Sequence, residues 1–488
     1  MNRVLNRAAS SARTMRRMVA ALFSCTALAA CAILTPPDAR EAYDAALGSP
    51  LPAQWSSSAD AAAFRPEWIG IDSNGVLRTL IDEAFEHNPD MRVAATRVEQ
   101  ARLQAELAGA ALWPTVNLGG KWSNSLISSD ALSVSGVFAT ASWEVDVWGV
   151  ARAGASASEA RYRSAEADYV YARASLGAAV AKAWLLNIEA AEELAMLQSI
   201  DADSASQRDI VMARVDAGKA SGVDLMQASA RAQASHEASL GASQAREAAQ
   251  RSLELLLGRY PAAEVEIGQA VGVLDQARLP PVPAGIPLDA LGRRPDLISA
   301  HNQFNAAFFG AQQAKAARLP NVMLTAGAGY LDTRAVALQN QIGNLVFPVG
   351  AKVTWPLFDA GRRQTEFAIA TVSQSEAAAQ YARAIQRAMG EVENALAAER
   401  EFRARSDVLS ARRQSLARAA ELARVQLEVG QAEWYDVLSR RIEVSQARLA
   451  LDRSRVANLA SRVDLHLALG GTFVDEADGP PQPRLADR

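Results

Sequence analysis

The sequence predicts a mainly α-helical protein with a small transmembrane β part, and three observations support this fold class. Two Ala-rich stretches without proline, Gly149 to Gly218 and Gly361 to Gly430, each have the character of a single helix. At 1.5 Å per residue each helix would be about 100 Å long. Short segments of alternating apolar and polar residues precede both stretches, and the two halves of the chain repeat one another. We therefore expect an elongated helical body that carries a few strands.

The internal repeat is visible in the spacing of matched residues. Pro89-Asp90 recurs as Pro295-Asp296 at an offset of 206, and Gly149 recurs as Gly361 at an offset of 212. The six additional residues fall between Pro320 and Trp355, as expected for an insertion in a surface loop. Each half is then predicted to contain a helix, two strands, a long helix and a shorter return helix.

This repeat divides the chain into six predicted parts. They are a signal peptide at 1–30, an amino-terminal segment at 31–70, a first repeat at 71–260, a connector at 261–287, a second repeat at 288–471, and a tail at 472–488 that we expect to be disordered.

Composition and motifs argue against an enzyme or a nucleic-acid-binding protein. The net charge of −4 gives no basic surface for nucleic acid. The four His residues lie singly, without the pairing of a zinc site, and no phosphate loop, nucleophile elbow or CxxC pair is present. We therefore predict no catalytic residue, no cofactor and no metal site. The nine Met residues form no cluster that would suit soft metal ions.

The amino terminus has the pattern of a targeting signal. Arg16 and Arg17 precede an apolar run that ends at Leu28-Ala29-Ala30-Cys31. This ending resembles the bacterial lipobox, which implies cleavage before Cys31 and lipid modification of its thiol. An ordinary signal peptide with an incidental cysteine is the alternative. Ala32 stands where an inner-membrane retention signal would have Asp, which favours the outer membrane.

The alternating segments between the helices have one apolar face and one polar face that carries charge. Strands of about ten residues with Trp and Tyr near their ends match the pattern of transmembrane barrels. A soluble sheet packed on helices is the alternative.

Four strands cannot close a barrel, since about eight are the minimum, so the barrel would have to be shared between chains. Three chains would give twelve strands, and four chains remain open. The charged residues predicted to face the bore are Lys121, Glu144, Asp146 and Lys352.

The long helices turn back at two polar tips. A glycine, Gly218 or Gly430, can end each long helix, and an acidic residue, Asp224 or Asp436, sits where it would favour the start of the next. Asp224 is a candidate for gating as well as for capping, and capping is the favoured explanation there. For Asp436 a role in gating is an equal alternative, because the neighbouring Tyr435 is unusual in an Ala-rich turn.

Several stretches, taken together in their order and spacing, carry a family resemblance over nearly the whole mature chain. They are Asn88-Pro89-Asp90, Trp143-Glu144-Val145-Asp146-Val147-Trp148-Gly149, Arg293-Arg294-Pro295-Asp296-Leu297, Pro356-Leu357-Phe358-Asp359-Ala360-Gly361-Arg362 and Ala468-Leu469-Gly470-Gly471. The chain resembles the TolC-type outer-membrane efflux factors, most of all their lipoprotein branch, sometimes called the NodT branch.

This resemblance implies a homotrimer with a twelve-stranded barrel in outer-membrane lipid, continued by a periplasmic tunnel of twelve helices. The connector and both ends of the mature chain would form a belt around the tunnel. Such a channel passively conducts small molecules, delivered by a resistance-nodulation-division pump through a periplasmic adaptor, as in multidrug resistance. A duct for type I protein secretion or for metal-ion efflux is the alternative. The adaptor would dock on the tips, at Gly218, Lys219, Gly430 and Gln431.

The resemblance also implies where the tunnel closes. Many members have Leu-Asp-Val-Leu-Asp at the second tip, and the matching residues here are Tyr435-Asp436-Val437-Leu438-Ser439. Asp436 keeps the first acidic position, whereas Ser439 replaces the second. A threefold ring of Asp436 would still favour cations, so we expect an acidic constriction that is weaker than in relatives with both carboxylates.

Overall fold

The structure is a computed structural model that describes residues 35–38, 41, 55–56, 75–123, 134–266, 292–332 and 345–471. The predicted signal peptide, Cys31, most of the connector and the tail at 472–488 lie outside the described residues. None of the described helices is both long enough and apolar enough to cross a membrane.

The described elements follow the predicted order in both repeats. The first repeat contains α1 (Val76–His87), α2 (Pro89–Ala110), β1 (Thr115–Ser123), β2 (Val134–Val145), α3 (Val150–Asp216) and α4 (Gly222–Leu256). The second contains α5 (Pro295–Ala316), β3 (Asn321–Asp332), β4 (Leu345–Val346), β5 (Val349–Thr354), α6 (Arg362–Glu428) and α7 (Trp434–Ala468). Two details differ from the predicted pattern. The first helix is divided at Asn88, and Phe347 and Pro348 interrupt the last strand.

The two long helices have the predicted length and the predicted boundaries. Both α3 and α6 contain 67 residues. At the end of α3, Gly218 has a left-handed φ of 69°, and the Lys219 N–H donates to the Arg214 carbonyl, 2.7 Å away. At the end of α6, Gly430 has a φ of 73°, and Gln431 makes the equivalent bond. A side chain would strain this left-handed conformation, whereas glycine adopts it easily. Gly218 and Gly430 therefore end α3 and α6 at the predicted positions.

The chain forms two compact units. The first comprises Met1–Ser49, Arg97–Glu166 and Ser299–Ala382, and its described part contains the sheet. The second comprises Pro50–Thr96, Ala167–Ile298 and Arg383–Arg488, and its described part contains the return helices and both tips.

Within the second unit the helices lie side by side in the order α4, α3, α7, α6. The Asn187 side chain on α3 donates to the Ala249 carbonyl of α4, 2.9 Å away. On the other side, α7 contacts α6 through a buried ion pair between Arg462 and Glu399, 3.2 Å apart. The middle contact, between α3 and α7, joins the first repeat to the second.

That middle contact is a series of ion pairs along the two helices. Each pair joins one charged residue of α3 to one of opposite charge on α7. The pairs are Lys182 with Asp464, Glu192 with Arg448, Glu193 with Arg453, and Asp203 with Arg441. Most of these side chains are partly exposed, so we expect each pair to contribute little stability and mainly to fix the register of the helices.

In the first repeat, a tight joint places the start of α2 against the end of α4. The Asn88 side chain donates to the Leu256 carbonyl, 2.9 Å away, and so satisfies an acceptor that the helix end leaves free. Gly258 follows with a left-handed φ of 75°, and a Cβ there would lie 2.6 Å from the His87 carbonyl oxygen. Only glycine permits this approach.

The second repeat has an equivalent joint between the start of α5 and the end of α7, in which the charged side chain of Arg294 replaces Asn88. Arg294 is 2% exposed and donates to the Ala468 carbonyl, 2.8 Å away. It also pairs with Asp296 at 2.8 Å and with Glu391 at 2.7 Å. Gly470 takes the place of Gly258, with a φ of 81°, and a Cβ there would lie 3.0 Å from the Arg293 backbone. At both joints, two short helices thus meet end to end.

The apolar core of the second unit surrounds the first of these joints. It brings α1 together with α3, α4 and α7, and Leu77, Ile81, Leu185, Leu253 and Val463 are among its members. All five side chains are at most 5% exposed.

Glu254 fixes the start of the connector that follows α4. It is 2% exposed, and it accepts hydrogen bonds from the backbone N–H groups of Ala263, Glu264 and Val265 at 2.7 to 2.9 Å. Burial raises the pKa of Glu254, but these N–H groups lower it by more, so that the pKa lies below its usual value.

We expect Arg294→Met to destabilise the protein by about 3 kcal/mol, because it leaves two carboxylates without their buried partner. Asn88→Ala, at the same place in the first repeat, should cost less, since it removes only neutral hydrogen bonds. Urea unfolding of the helical circular dichroism signal in detergent measures both. Arg251→Met is the control, because Arg251 forms an exposed pair with Glu247 within one helix. If Arg294→Met cost no more than this control, the joint would not be a major source of stability.

Glu254→Gln should lower the thermal midpoint at pH 7. Because folding lowers the pKa of Glu254, its carboxylate increases the free energy of unfolding at pH values above the pKa of the unfolded state, about 4.3. This contribution is lost as the pH falls through the pKa of the folded state. Wild type and variant should therefore converge in acid when helix melting is followed from pH 7 downwards. Glu247→Gln, on the exposed face of the same helix, should melt like wild type throughout. A constant difference between wild type and Glu254→Gln at all pH values would contradict this explanation.

Candidate functional site

The sheet of the first unit gathers the predicted apolar residues on one face. Its strand order is β1, β2, β3 and then β5 with β4, and all pairs are antiparallel. In the register, Leu118 pairs with Ala139, which pairs with Ala328. Trp143 pairs with Leu324, which pairs with Ala351. Since directly paired residues point to the same side of a sheet, the alternation of all strands coincides.

This apolar face is exposed in the single chain. Val116 is 72% exposed, Leu118 79% and Val349 84%. A contiguous exposed surface of this kind marks contact with lipid or with another protein, rather than with water.

The opposite, polar face carries the charges that were predicted for a bore. Glu144 on β2 pairs with Met323 on β3, which pairs with Lys352 on β5, so the two opposite charges flank Met323. The Lys121 backbone pairs with Gly136 near the other end of the strands, and its side chain lies outside the described part of the structure. The register thus places Glu144 and Lys352 at the same level of the sheet, two strands apart, and Lys121 near the other end of the strands.

Asp146 lies beyond the strand in which the alternation placed it, because β2 ends at Val145. Its carboxylate accepts hydrogen bonds from the backbone N–H groups of Ala151 and Arg152, at 3.1 and 2.9 Å, in the first turn of α3. A carboxylate at this position stabilises a helix start. Asp359 has the same role at the start of α6, where it accepts from Gly361 and Arg363.

A cleft of about 430 Å³ lies where the strands meet the helices of the first unit. Glu144, Asp146, Trp148, Arg362 and Arg363 are among the residues that line it. The Trp148 indole N–H donates to the Pro320 carbonyl, 2.7 Å away, and so ties the two repeats together at this level.

At the first tip, Asp224 has the capping role that its position predicted. The Asp224 N–H donates to the Ser221 hydroxyl at 3.2 Å, and the Ser221 N–H donates to the Asp224 carboxylate at 2.9 Å. These two bonds form a capping box at the start of α4. The backbone N–H and the hydroxyl of Ser221 lower the pKa of Asp224.

At the second tip, Asp436 also takes part in capping. Its carboxylate accepts from the Glu433 N–H, 3.2 Å away, at the start of α7. Capping therefore accounts for both acidic residues, and a gating role of Asp436 stays a prediction.

Tyr435 and Ser439, the other residues predicted for the second tip, form a latch with α3. The Gln207 side chain donates to the Ser439 hydroxyl at 2.8 Å and to the Tyr435 carbonyl at 3.3 Å. The Arg214 guanidinium lies 5.9 Å from the centre of the Tyr435 ring and pairs with Glu433. Sequence reasoning missed Gln207 and Arg214, because no local pattern links them to a tip more than 200 residues later.

Arg231 on α4 extends this latch. Its guanidinium donates to the Tyr435 hydroxyl at 3.4 Å. Tyr435 therefore contacts both helices of the first repeat at its tip. Asp224 belongs to the other tip and takes no part in these bonds.

The described ranges contain no group of three or more His, Cys, Asp or Glu side chains arranged to hold a metal ion. The functional features in this part of the chain are surfaces and helix tips.

Comparison with known proteins assigns the family. The model of the outer membrane efflux protein family matches residues 80–259 and 286–471, which is most of the chain and covers both repeats. The chain belongs to the outer membrane efflux protein family. The break between the two matched ranges coincides with the connector between the repeats.

Relatives within the efflux family are similar over almost their entire length. The chain is 27% identical to the pyoverdine export outer membrane protein OpmQ of Pseudomonas putida, over 96% of this chain and 99% of that protein. It is also 27% identical to the toluene efflux pump outer membrane protein TtgC of Pseudomonas putida, over 88% and 91%. The cation efflux system protein CusC of Escherichia coli is 26% identical over 86% and 93%.

Solved structures agree with this assignment. A crystal structure of CusC superimposes with a TM-score of 0.72 at 25% identity, over 86% of this chain and 97% of that one. The open state of the Neisseria gonorrhoeae MtrE outer membrane channel gives 0.74 at 25%, over 86% and 95%. Efflux at the outer membrane is therefore the function of this family and of this chain.

We expect Ser221→Ala to loosen the first tip by about 1 kcal/mol, because it removes the hydroxyl that accepts the Asp224 N–H. Hydrogen exchange of the backbone amides in the first turn of α4 measures the effect. Ser206→Ala is the control, because Ser206 lies on an exposed turn of α3 and bonds only to the Ala202 carbonyl of its own helix. Equal exchange rates in both variants would show that the capping box does not hold the tip.

Proposed function

We propose that this chain is the outer-membrane channel of a tripartite efflux system, a homotrimer that passively conducts small molecules to the outside. It would receive them from a resistance-nodulation-division pump in the inner membrane through a periplasmic adaptor. The observation that carries the proposal is that the sheet and the row of four helices each have two edges without a neighbouring element in the described part of the chain.

The sheet edges are the outer sides of β1 and β5, which have no strand partner among the described segments. In lipid, each unpaired backbone polar group costs several kcal/mol, so strands span membranes only in closed barrels. If β1 of one copy pairs with β5 of the next, the contact is head to tail and closes into a ring. Three copies supply twelve strands, counting β4 and β5 as one.

The edge helices of the second unit support the same assembly. Both α4 and α6 expose apolar side chains that a neighbouring copy can cover. They are Val223, Met226, Leu240 and Leu255 on α4, and Val408, Leu422 and Val425 on α6. Repeated around a threefold axis, four helices per copy give a tunnel of twelve.

The polar face of the sheet would line the bore. Glu144 and Lys352 carry opposite charges at the same level of the sheet, two strands apart, which suits a water-filled channel without strong selection by charge. Lys121 would add a positive charge near the other end of the strands. Asp146, held at the start of α3, would lie below the strands rather than between them.

At the periplasmic end, the second tip would form the gate. A ring of three Asp436 carboxylates favours cations in a narrow bore. Ser439 adds no charge, because a hydroxyl group is neutral, and this hydroxyl bonds to Gln207. The constriction would therefore be weaker than in relatives with a second acidic residue, and Asp224 would act as a cap.

The channel would make two further contacts, one with the adaptor at the helix tips and one with outer-membrane lipid. The adaptor would dock on the turns at Gly218, Lys219, Gly430 and Gln431, where backbone conformation fixes the surface. A lipid attached to Cys31 would anchor the mature chain in the outer membrane, since several acyl chains make a durable anchor.

The names of the relatives refer to chemically different transported substances: pyoverdine, toluene and cations. A conduit without a selective pocket accounts for this range, and drugs or other toxic small molecules fit it equally. Metal-ion efflux is the second candidate, because CusC is about as similar to this chain as the other two. In either case the pump, rather than the channel, would select the cargo.

Conductance of purified trimers in planar lipid bilayers tests this function. Wild-type trimers should open pores that prefer cations, and Asp436→Ala should raise the conductance and weaken the preference, because it removes the acidic ring. Asp224→Ala is the matched control, since it removes an equivalent cap at the first tip. If Asp436→Ala changed neither property, the gate would be wrongly assigned. If no preparation formed pores, the channel itself would be disproved.

A further inference from the structure

We propose that the junction between neighbouring copies of this chain forms an anion-binding site. At this junction β5 of one copy pairs with β1 of the next, and Lys352 lies directly opposite Lys121 of the next copy. The inference rests on the proposed homotrimer and adds a ligand class to it, because the site is complete only where two copies meet.

The internal repeat extends to the hydrogen-bond register of the strands. Residues of β1 recur in β3 at an offset of 206, and residues of β2 recur in β5 at an offset of 212. Thr115 pairs with Ser142 in the first repeat, and their equivalents, Asn321 and Thr354, pair in the second. The hairpins β1–β2 and β3–β5 therefore have the same register.

The contact between the two hairpins is the antiparallel pairing of β2 with β3. Thr140 pairs there with Gly327, and Ala141 pairs with Ala326. In a closed ring of copies, β5 precedes the β1 of the next copy just as β2 precedes β3. The pairing of β2 with β3 is therefore the template for the junction between copies.

The same two offsets convert this template into the register of the junction. The first pair becomes Lys352 with Lys121 of the next copy, and the second becomes Val353 with Gly120. Within one chain, Lys121 and Lys352 lie near opposite ends of the strands. Because the strands of a barrel are tilted and staggered, such positions reach the same height in neighbouring copies.

The alternation of the two faces supports this register. Positions 352 and 121 both belong to the polar face, and Val353 and Gly120 both belong to the apolar face. A shift of one residue would turn the polar side of one strand towards lipid. A shift of two residues would keep the faces, but the junction would then have a stagger unlike that between β2 and β3.

The junction brings two positive charges together, and like charges directly opposite one another destabilise an antiparallel pair. Lys352 is exposed, and no described residue forms an ion pair with it. Glu144 is two strands away, roughly 10 Å. A small oxyanion such as phosphate can accept hydrogen bonds from both ammonium groups and so remove the repulsion. Three junctions thus place six lysines around the bore, an arrangement that favours anions.

Disulfide cross-linking measures the register. Val353→Cys and Gly120→Cys in one chain should link neighbouring copies, because directly opposite residues lie within disulfide distance. Val353→Cys with Leu118→Cys is the matched control, since these positions are offset by two residues and should link poorly. Covalent trimers are detected on denaturing gels without reductant. Preferred linking of the control pair would overturn the register.

Charge reversal tests the contact between the two lysines. Lys352→Glu should raise the temperature at which purified trimers dissociate in detergent, because attraction replaces repulsion at each junction. Lys121→Glu should do the same, whereas the double variant restores like charges and should lose the gain. Lys315→Glu, which makes the same change of charge on α5, should not raise this temperature. Additive gains in the double variant would overturn the pairing.

Inorganic phosphate, added at constant ionic strength, tests the ligand. It should raise the dissociation temperature of wild-type trimers, since a ligand stabilises the state that binds it. Lys352→Gln should lose this shift, and Lys315→Gln should keep it. An equal shift in Lys352→Gln would overturn the anion site.

The cross-links also separate this inference from the proposed function. Links confined to a different pairing of β1 with β5 would overturn the register and leave the shared barrel intact. The absence of links in every such pair, Trp355→Cys with Leu118→Cys included, would overturn the shared barrel and this site with it.

Discussion

The architecture depends on the end-to-end joints between short helices. Each long helix of 67 residues needs a partner of comparable length, and each partner consists of two helices that meet. Asn88 and Arg294 make this meeting favourable, because each gives a carbonyl at a helix end the donor that the helix itself lacks. Gly258 and Gly470 make it sterically feasible. Without these joints the chain would have to bury helix ends without hydrogen-bond partners.

The joints also explain why a single copy is incomplete. Within the second unit four helices lie side by side, and the sheet of the first unit has four strands when β4 and β5 are counted as one. In the described part of one chain, neither the row of helices nor the sheet closes, and apolar residues at their edges are exposed. An assembly of several copies would give the strand edges backbone partners and would cover the apolar surfaces of the edge helices.

Much of this fold is predictable from the sequence, because it is encoded locally. The glycines at 149, 218, 361 and 430 mark the ends of the long helices, since left-handed backbone favours glycine strongly. The alternation in the strands predicted their faces correctly. The latch at the second tip was not predictable, because Gln207 and Tyr435 meet only after the whole chain has folded. Asp146 shows a related limit. The alternation of apolar and polar residues continues beyond the end of β2, but the Asp146 carboxylate accepts a hydrogen bond from the start of α3.

The duplication within the chain has a consequence for stoichiometry. Around a threefold axis, the two tips of each copy would present six turns of nearly identical backbone shape, because Gly218 and Gly430 impose the same ending. The side chains differ: Lys219 follows one glycine and Gln431 the other. A partner protein would therefore encounter alternating sites of equal geometry and unequal charge, so that three copies of the channel could accept six partners in two classes of affinity.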